Sequence, residues 1–103
     1  MRLKGYFNLD GWSNKIFVMN ISVAAANANV IFCTEDGKEF FRKELTLQGG
    51  ELRIINLTEE KQLVGNKGII FIDSEKEIGC TMYMKEEGTE EGKFIEYKLP
   101  KVE

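Results

Sequence analysis

The stretch Ala28–Leu47, ANVIFCTEDGKEFFRKELTL, holds the most decisive local signal in the chain. Two runs rich in β-branched and aromatic residues, Ala28 to Thr34 and Glu39 to Leu47, flank Glu35-Asp36-Gly37-Lys38. Asp-Gly between such runs is turn chemistry, because glycine reaches the backbone angles a tight hairpin needs. The runs are too short for a helix and carry no 3.6-residue apolar stripe, so a β-hairpin is predicted here.

The same rhythm extends in both directions. Towards the N-terminus, Leu3 to Leu9 closes at Asp10-Gly11, and Lys15 to Ile21, KIFVMNI, closes at a small-residue loop from Ser22 to Asn27. Towards the C-terminus, Gln48-Gly49-Gly50 leads into Glu51 to Leu57, where Leu52 and Ile54 share one face and Arg53 and Ile55 the other. A second hairpin is expected there. Thr58 to Lys67 is the longest connection, with a helical turn expected at Glu59 to Leu63, and is expected to carry the chain from one sheet to the other. Gly68 to Asp73 is apolar on both phases and reads as a central strand. Ile78 to Lys85 and Lys93 to Leu99 complete the series, and Pro100 stops the last strand. About seven to eight short strands at even spacing predict an all-β, antiparallel β-sandwich in one domain over residues 1–103.

Composition narrows the function. The chain has 103 residues, 43% hydrophobic and 30% charged, enough to bury a core without metal or disulfides. A net charge of −3 with mixed signs lacks the basic stripe of a phosphate-binding surface, so nucleic acid is not an expected partner. Residues 1–10 lack the run of about seven apolar residues that marks a secretory signal, and no stretch nears the roughly 20 needed for a membrane helix. A soluble, cytoplasmic protein without membrane insertion is expected. Cys33 and Cys80 are too few and too far apart for a disulfide scaffold or a CxxC site. They read as buried free thiols, with a cross-sheet disulfide as the alternative. The sequons at Asn20 and Asn56 would matter only in a secreted chain.

The absence of histidine removes the commonest neutral-pH base, His-based metal sites, and the Ser-His and Cys-His nucleophile pairs. No Gly-rich phosphate loop or SxxK motif occurs. No catalytic residue, metal site or cofactor is therefore assigned, and the expectation is a protein that is not an enzyme. The acidic run from Glu86 to Gly92 reads as a charged hairpin tip that keeps its edge from pairing with strangers.

Two groups of residues stand out. Tyr6, Trp12 and Asn14 gather aromatic and amide groups near one polar turn, a combination suited to stacking on a sugar or small ligand. Trp12 can equally plug the open end of the core. Phe41, Tyr83 and Met84 belong to Phe40-Phe41 and Met82-Tyr83-Met84, which place large apolar side chains on both faces of their strands and so predict contact with another chain.

The order Phe17-Val18-Met19-Asn20, Ala28-Asn29-Val30, Asp36-Gly37-Lys38, Leu45 to Leu47, Arg53 to Leu57 and Lys67 to Phe71 resembles the small β-sandwich of the sensory rhodopsin transducer family and related bacterial sandwich domains. The resemblance covers about Ile16 to Met84 and implies a cytoplasmic, oligomeric, all-β protein with a partner protein or a ligand. This chain lacks a Pro-rich segment before its second strand, so a rhodopsin partner is not carried over, nor is any functional residue. The leading expectation is a non-catalytic, homo-oligomeric interaction module that binds a protein partner. The alternative is a small-molecule or carbohydrate-binding sandwich.

Overall fold

A computed structural model describes residues 1–88 and 92–102. Nine strands run β1 (Arg2–Asn8), β2 (Trp12–Asn20), β3 (Ala26–Cys33), β4 (Glu39–Leu47), β5 (Leu52–Asn56), β6 (Lys67–Ser74), β7 (Ile78–Glu86), β8 (Phe94–Lys98) and β9 (Lys101–Val102). They form a five-stranded sheet, β4-β3-β6-β1-β9, and a four-stranded sheet, β5-β2-β7-β8, with every pairing antiparallel. The β-sandwich expected from spacing is the observed architecture, with β9 as a short addition beyond Pro100.

Alternation explains the core. Phe7, Val30, Phe32, Ile70 and Ile72 point inward from the larger sheet, and Ile16, Val18, Ile55, Ile78 and Met82 meet them from the smaller one. Phe7 and Phe32 pack edge to face with ring centroids 5.4 Å apart, the arrangement their quadrupoles favour. Both rings are almost wholly buried, so truncating Phe32 to alanine should cost about 3–5 kcal/mol.

The predicted β3–β4 hairpin forms, with Thr34 N–H donating to the Lys38 carbonyl at 2.8 Å. The second expected hairpin does not. β4 and β5 belong to different sheets, and Gln48 to Glu51 carry the chain between them. At this crossing a Cβ on Gly49 would stand 2.2 Å from the Val23 carbonyl oxygen, so this glycine permits close passage against the 21–25 loop. Asn20 holds the same corner. Its wholly buried amide donates to the carbonyls of Ala24, Leu47 and Gln48 and accepts from the Ser22 N–H and hydroxyl.

The connection after β5 does cross between the sheets, through two 3-10 turns at Leu57–Glu59 and Lys61–Leu63 that bury Leu57 and Leu63. β6 is the central strand of its sheet, as its double apolar phase predicts. Thr89, Glu90 and Glu91 of the acidic connection lie outside the described residues.

Candidate functional site

The predicted ligand trio is not assembled. Tyr6 stands on the outer face of the five-stranded sheet, 60% exposed. Trp12 has the inward phase of β2 in the opposite sheet and packs, partly buried, against the core, the plugging role open to it in the sequence. Asn14 is completely buried. Its Oδ1 accepts from the Asn8 N–H at 3.0 Å and its Nδ2 donates to the Asn8 carbonyl at 2.6 Å, while its own N–H donates to the Thr58 hydroxyl. Its carboxamide thus stands in for a peptide group alongside the end of β1. With these bonds made inside the protein, Asn14 leaves the candidate ligand site.

The predicted interface trio also divides. Met84 has the inward phase of β7 and is buried in the core. Phe41 points to the same core and stacks on Phe32 at 5.7 Å between centroids. A register shift opposite Phe32 and Cys33 accounts for the neighbouring ring, since Phe40 also reaches a core aromatic, 6.3 Å from Phe7. Such a bulge sets two successive residues against one on the partner strand, which defeats simple alternation. Tyr83 alone of the three points outward, stacked on Phe94 at 5.9 Å.

On the same face as Tyr83 the structure gathers further apolar residues that the sequence had not marked as an interface. The outer face of the four-stranded sheet carries Phe17, Met19 and Ile21 on and beyond β2, Leu52 and Ile54 on β5, and Phe94 on β8. Ile21, Leu52, Ile54 and Phe94 are between 54% and 63% exposed. The available signal was KIFVMNI itself, where Ile16 and Val18 fill the core and Phe17 and Met19 occupy the opposite phase. A concavity of about 330 Å³ beside Gly79 is lined by Met19, Ile21 and Leu52 from this face and by Leu3, Leu99 and Lys101 where the chain crosses to the larger sheet. Lys15, Lys98 and Glu96 share the outward phase, Lys15 and Glu96 flanking Tyr83 in the row between those of Phe17 and Phe94.

The titratable groups are scattered rather than gathered. Asp73 and Glu39 are held below the usual carboxylate range by bonds from Arg2 and Arg42 respectively. Glu51 is lowered first by the Gln48 backbone and then by Arg53. Burial raises both thiols, that of Cys80 to about 12. Cys80 faces the core from the smaller sheet, whereas Cys33 pairs with the outward-facing Ile69 on the far side of the larger one. The sheet between them rules out the cross-sheet disulfide, and both are free thiols. Among the described residues no group of three His, Cys, Asp or Glu has the placement of a metal site. None of the described helices is long and apolar enough to cross a membrane.

One further concavity lies at the edge of β1, beyond the point where β9 ends. Tyr6, Tyr97, Pro100 and Val102 wall an open groove of about 620 Å³, with Lys4 and Lys101 also lining it. The Tyr97 hydroxyl accepts from the Tyr6 N–H at 2.7 Å and donates to the Tyr6 carbonyl at 2.9 Å, closing both edge groups of that residue.

The fold has a solved counterpart. The crystal structure of Thermotoga maritima 1070 superposes with a TM-score of 0.78 at 14% identity, covering 95% of this chain and 92% of that one. At that identity the likeness shows a shared fold. No family model matches the sequence. No curated protein matches it either.

Proposed function

We propose that this protein is a non-catalytic interaction module that self-associates through the outer face of its four-stranded sheet. The observation that carries the reading is the apolar face formed by Phe17, Met19, Ile21, Leu52, Ile54 and Phe94. Its exposed apolar area is on the order of 500 Å², at the upper end of single patches on monomers. Each partner of a standard interface contributes about 800 Å², and this patch alone would supply over half of that. A second copy presenting the same patch would make an isologous contact. A cytoplasmic setting and kinship with the sensory rhodopsin transducer sandwiches belong to the same proposal.

The test introduces a charge into the apolar patch. Ile54 points into solvent from an edge strand, so Ile54→Lys leaves the core of the single chain intact. In an isologous contact it introduces two unpaired ammonium groups into an apolar interface, a penalty of several kcal/mol. Light scattering should show Ile54→Lys as monomer and Ile54→Val at the parent mass. Equal masses for Ile54→Lys and parent would remove this face from the assembly.

A further inference from the structure

We propose that the free edge of β8 pairs with β8 of a second copy, antiparallel and centred on Tyr97, joining two four-stranded sheets into one. This rests on the face contact proposed above and extends it from two copies to four.

The other long edges are closed. On β1 the Lys4 N–H donates to the Pro100 carbonyl at 3.0 Å, the Tyr97 hydroxyl holds both peptide groups of Tyr6, and the Asn14 carboxamide holds both of Asn8. β4 carries a bulge and turns Lys43 inward, opposite Val30, where it pairs with Glu60. β5 turns Arg53 inward, opposite Val18, and its guanidinium donates to the Thr46 carbonyl on β4 at 2.9 Å. Bulges and inward-pointing charges keep an edge from accepting another strand.

β8 carries neither device. It pairs with β7 without a register shift, and its inward residues, Ile95 and Tyr97, are uncharged. The Leu99 N–H donates to the Cys80 carbonyl and the Glu86 N–H to the Lys93 carbonyl, each at 2.9 Å. Antiparallel alternation therefore turns the peptide groups of Ile95 and Tyr97 towards β7 and those of Phe94, Glu96 and Lys98 towards the open side. Among the described residues no loop or side chain closes them. Ile95 marks the same vacancy from within: it has the core-facing phase, opposite Met84, yet is 45% exposed.

Charge selects the occupant. Glu96 and Lys98 stand two residues apart on one face, and among the described residues neither is in an ion pair. Pairing must set edge-facing residues against edge-facing residues. Centred on Tyr97, it places Glu96 opposite Lys98 of the second copy and Lys98 opposite its Glu96, and each pair exchanges main-chain bonds in both directions. Centred on Glu96, it would set that carboxylate against itself. The strand is its own complement, so a second copy fits without further design. One such contact, short and with exposed ion pairs, is too small to hold two single chains together. Its two-fold axis crosses the sheet plane while that of the face contact lies within it, and perpendicular two-folds of this kind belong to a closed four-chain assembly. There the edge contact is made twice at once, which multiplies its strength.

The experiment combines light scattering with amide hydrogen exchange on the full chain. The parent should have the mass of four copies, Glu96→Lys that of two, and the charge-swapped double variant Glu96→Lys, Lys98→Glu that of four again. The Glu96 and Lys98 amides should exchange at least about tenfold more slowly in the parent than in Glu96→Lys or Ile54→Lys, while the Tyr97 amide, bonded to β7, is slow in all of them. Both substituted side chains are exposed, so thermal melts matching the parent will confirm folding. Equal exchange of the Glu96 and Lys98 amides in parent and Glu96→Lys overturns the proposal, as does a double variant that stays at two copies. A parent of two copies with fast edge amides overturns the edge contact and leaves the face reading standing, whereas a parent of one copy overturns both.

Discussion

Asn20 offers the sharpest test of how the two sheets are joined, because one buried side chain bonds both to the loop at Ser22 and Ala24 and to Leu47-Gln48 at the end of β4. Its Nδ2 reaches the carbonyls of Ala24 at 2.8 Å, Leu47 at 3.2 Å and Gln48 at 3.1 Å, and its Oδ1 accepts from Ser22 at 3.0 and 2.7 Å. In Asn20→Ala the Leu47 carbonyl, buried without access to water, is left unpaired at about 1–3 kcal/mol. The other bonds are at the margin, where water can replace them, and contribute about 0.5 kcal/mol each. Together these put the loss at about 3–5 kcal/mol, a large fraction of the stability of a domain of this size. Asn20→Asp should be worse at neutral pH, since a carboxylate would face three carbonyl oxygens. That repulsion raises the introduced acid's pKa in the folded state above the unfolded value of about 4. The native state then holds the extra proton, so the penalty is small below that value and grows as pH rises through the folded pKa. Urea unfolding followed by Trp12 fluorescence, at fixed protein concentration from pH 3 to 8, measures both variants. An Asn20→Ala loss under about 1 kcal/mol, or an Asn20→Asp penalty independent of pH, would refute the corner clasp as described.

Gly68→Ala should unfold the chain or lower its stability by more than about 4 kcal/mol, since the new Cβ would lie 2.0 Å from the Cys33 carbonyl oxygen; circular dichroism melts measure this. In the folded protein Cys80 should resist a thiol-titrating reagent until denaturant is added, because burial pushes it up to about 12; prompt reaction of both thiols would contradict that burial. The Arg2–Asp73 pair lowers the Asp73 pKa, so its contribution is present above the unfolded carboxylate value of about 4 and is lost as pH falls through the folded one. Both side chains are over a third exposed, so Arg2→Ala should cost no more than about 0.5 kcal/mol at pH 7, and less at high salt, as denaturant titrations can show.

Most strands were legible in the sequence because short β runs are punctuated by turn residues, and β4 is found at Glu39–Leu47 as read. What local pattern could not supply was which sheet each run joins. Gln48-Gly49-Gly50 has the composition of a hairpin turn, yet its glycine answers to Val23, a contact made only in three dimensions. Asn14 illustrates the same limit: a polar residue near an aromatic suggests a ligand, while the backbone it serves belongs to Asn8 on another strand. Phe40 and Phe41 misled for a different reason, since a bulge breaks the period of two on which facing was judged. The apolar face of the smaller sheet was present in the letters as doubled apolar phases in β2 and in Leu52 and Ile54. Only pairing Phe17 with Ile54 and Met19 with Leu52 made it one surface.

Self-association is the central claim, and the solution mass of the unaltered chain tests it most directly. Light scattering across a concentration series should give a multiple of 11.8 kDa, falling towards one copy only on dilution. A mass of 11.8 kDa at every concentration would contradict the account and leave the apolar face of the four-stranded sheet without the partner assigned to it.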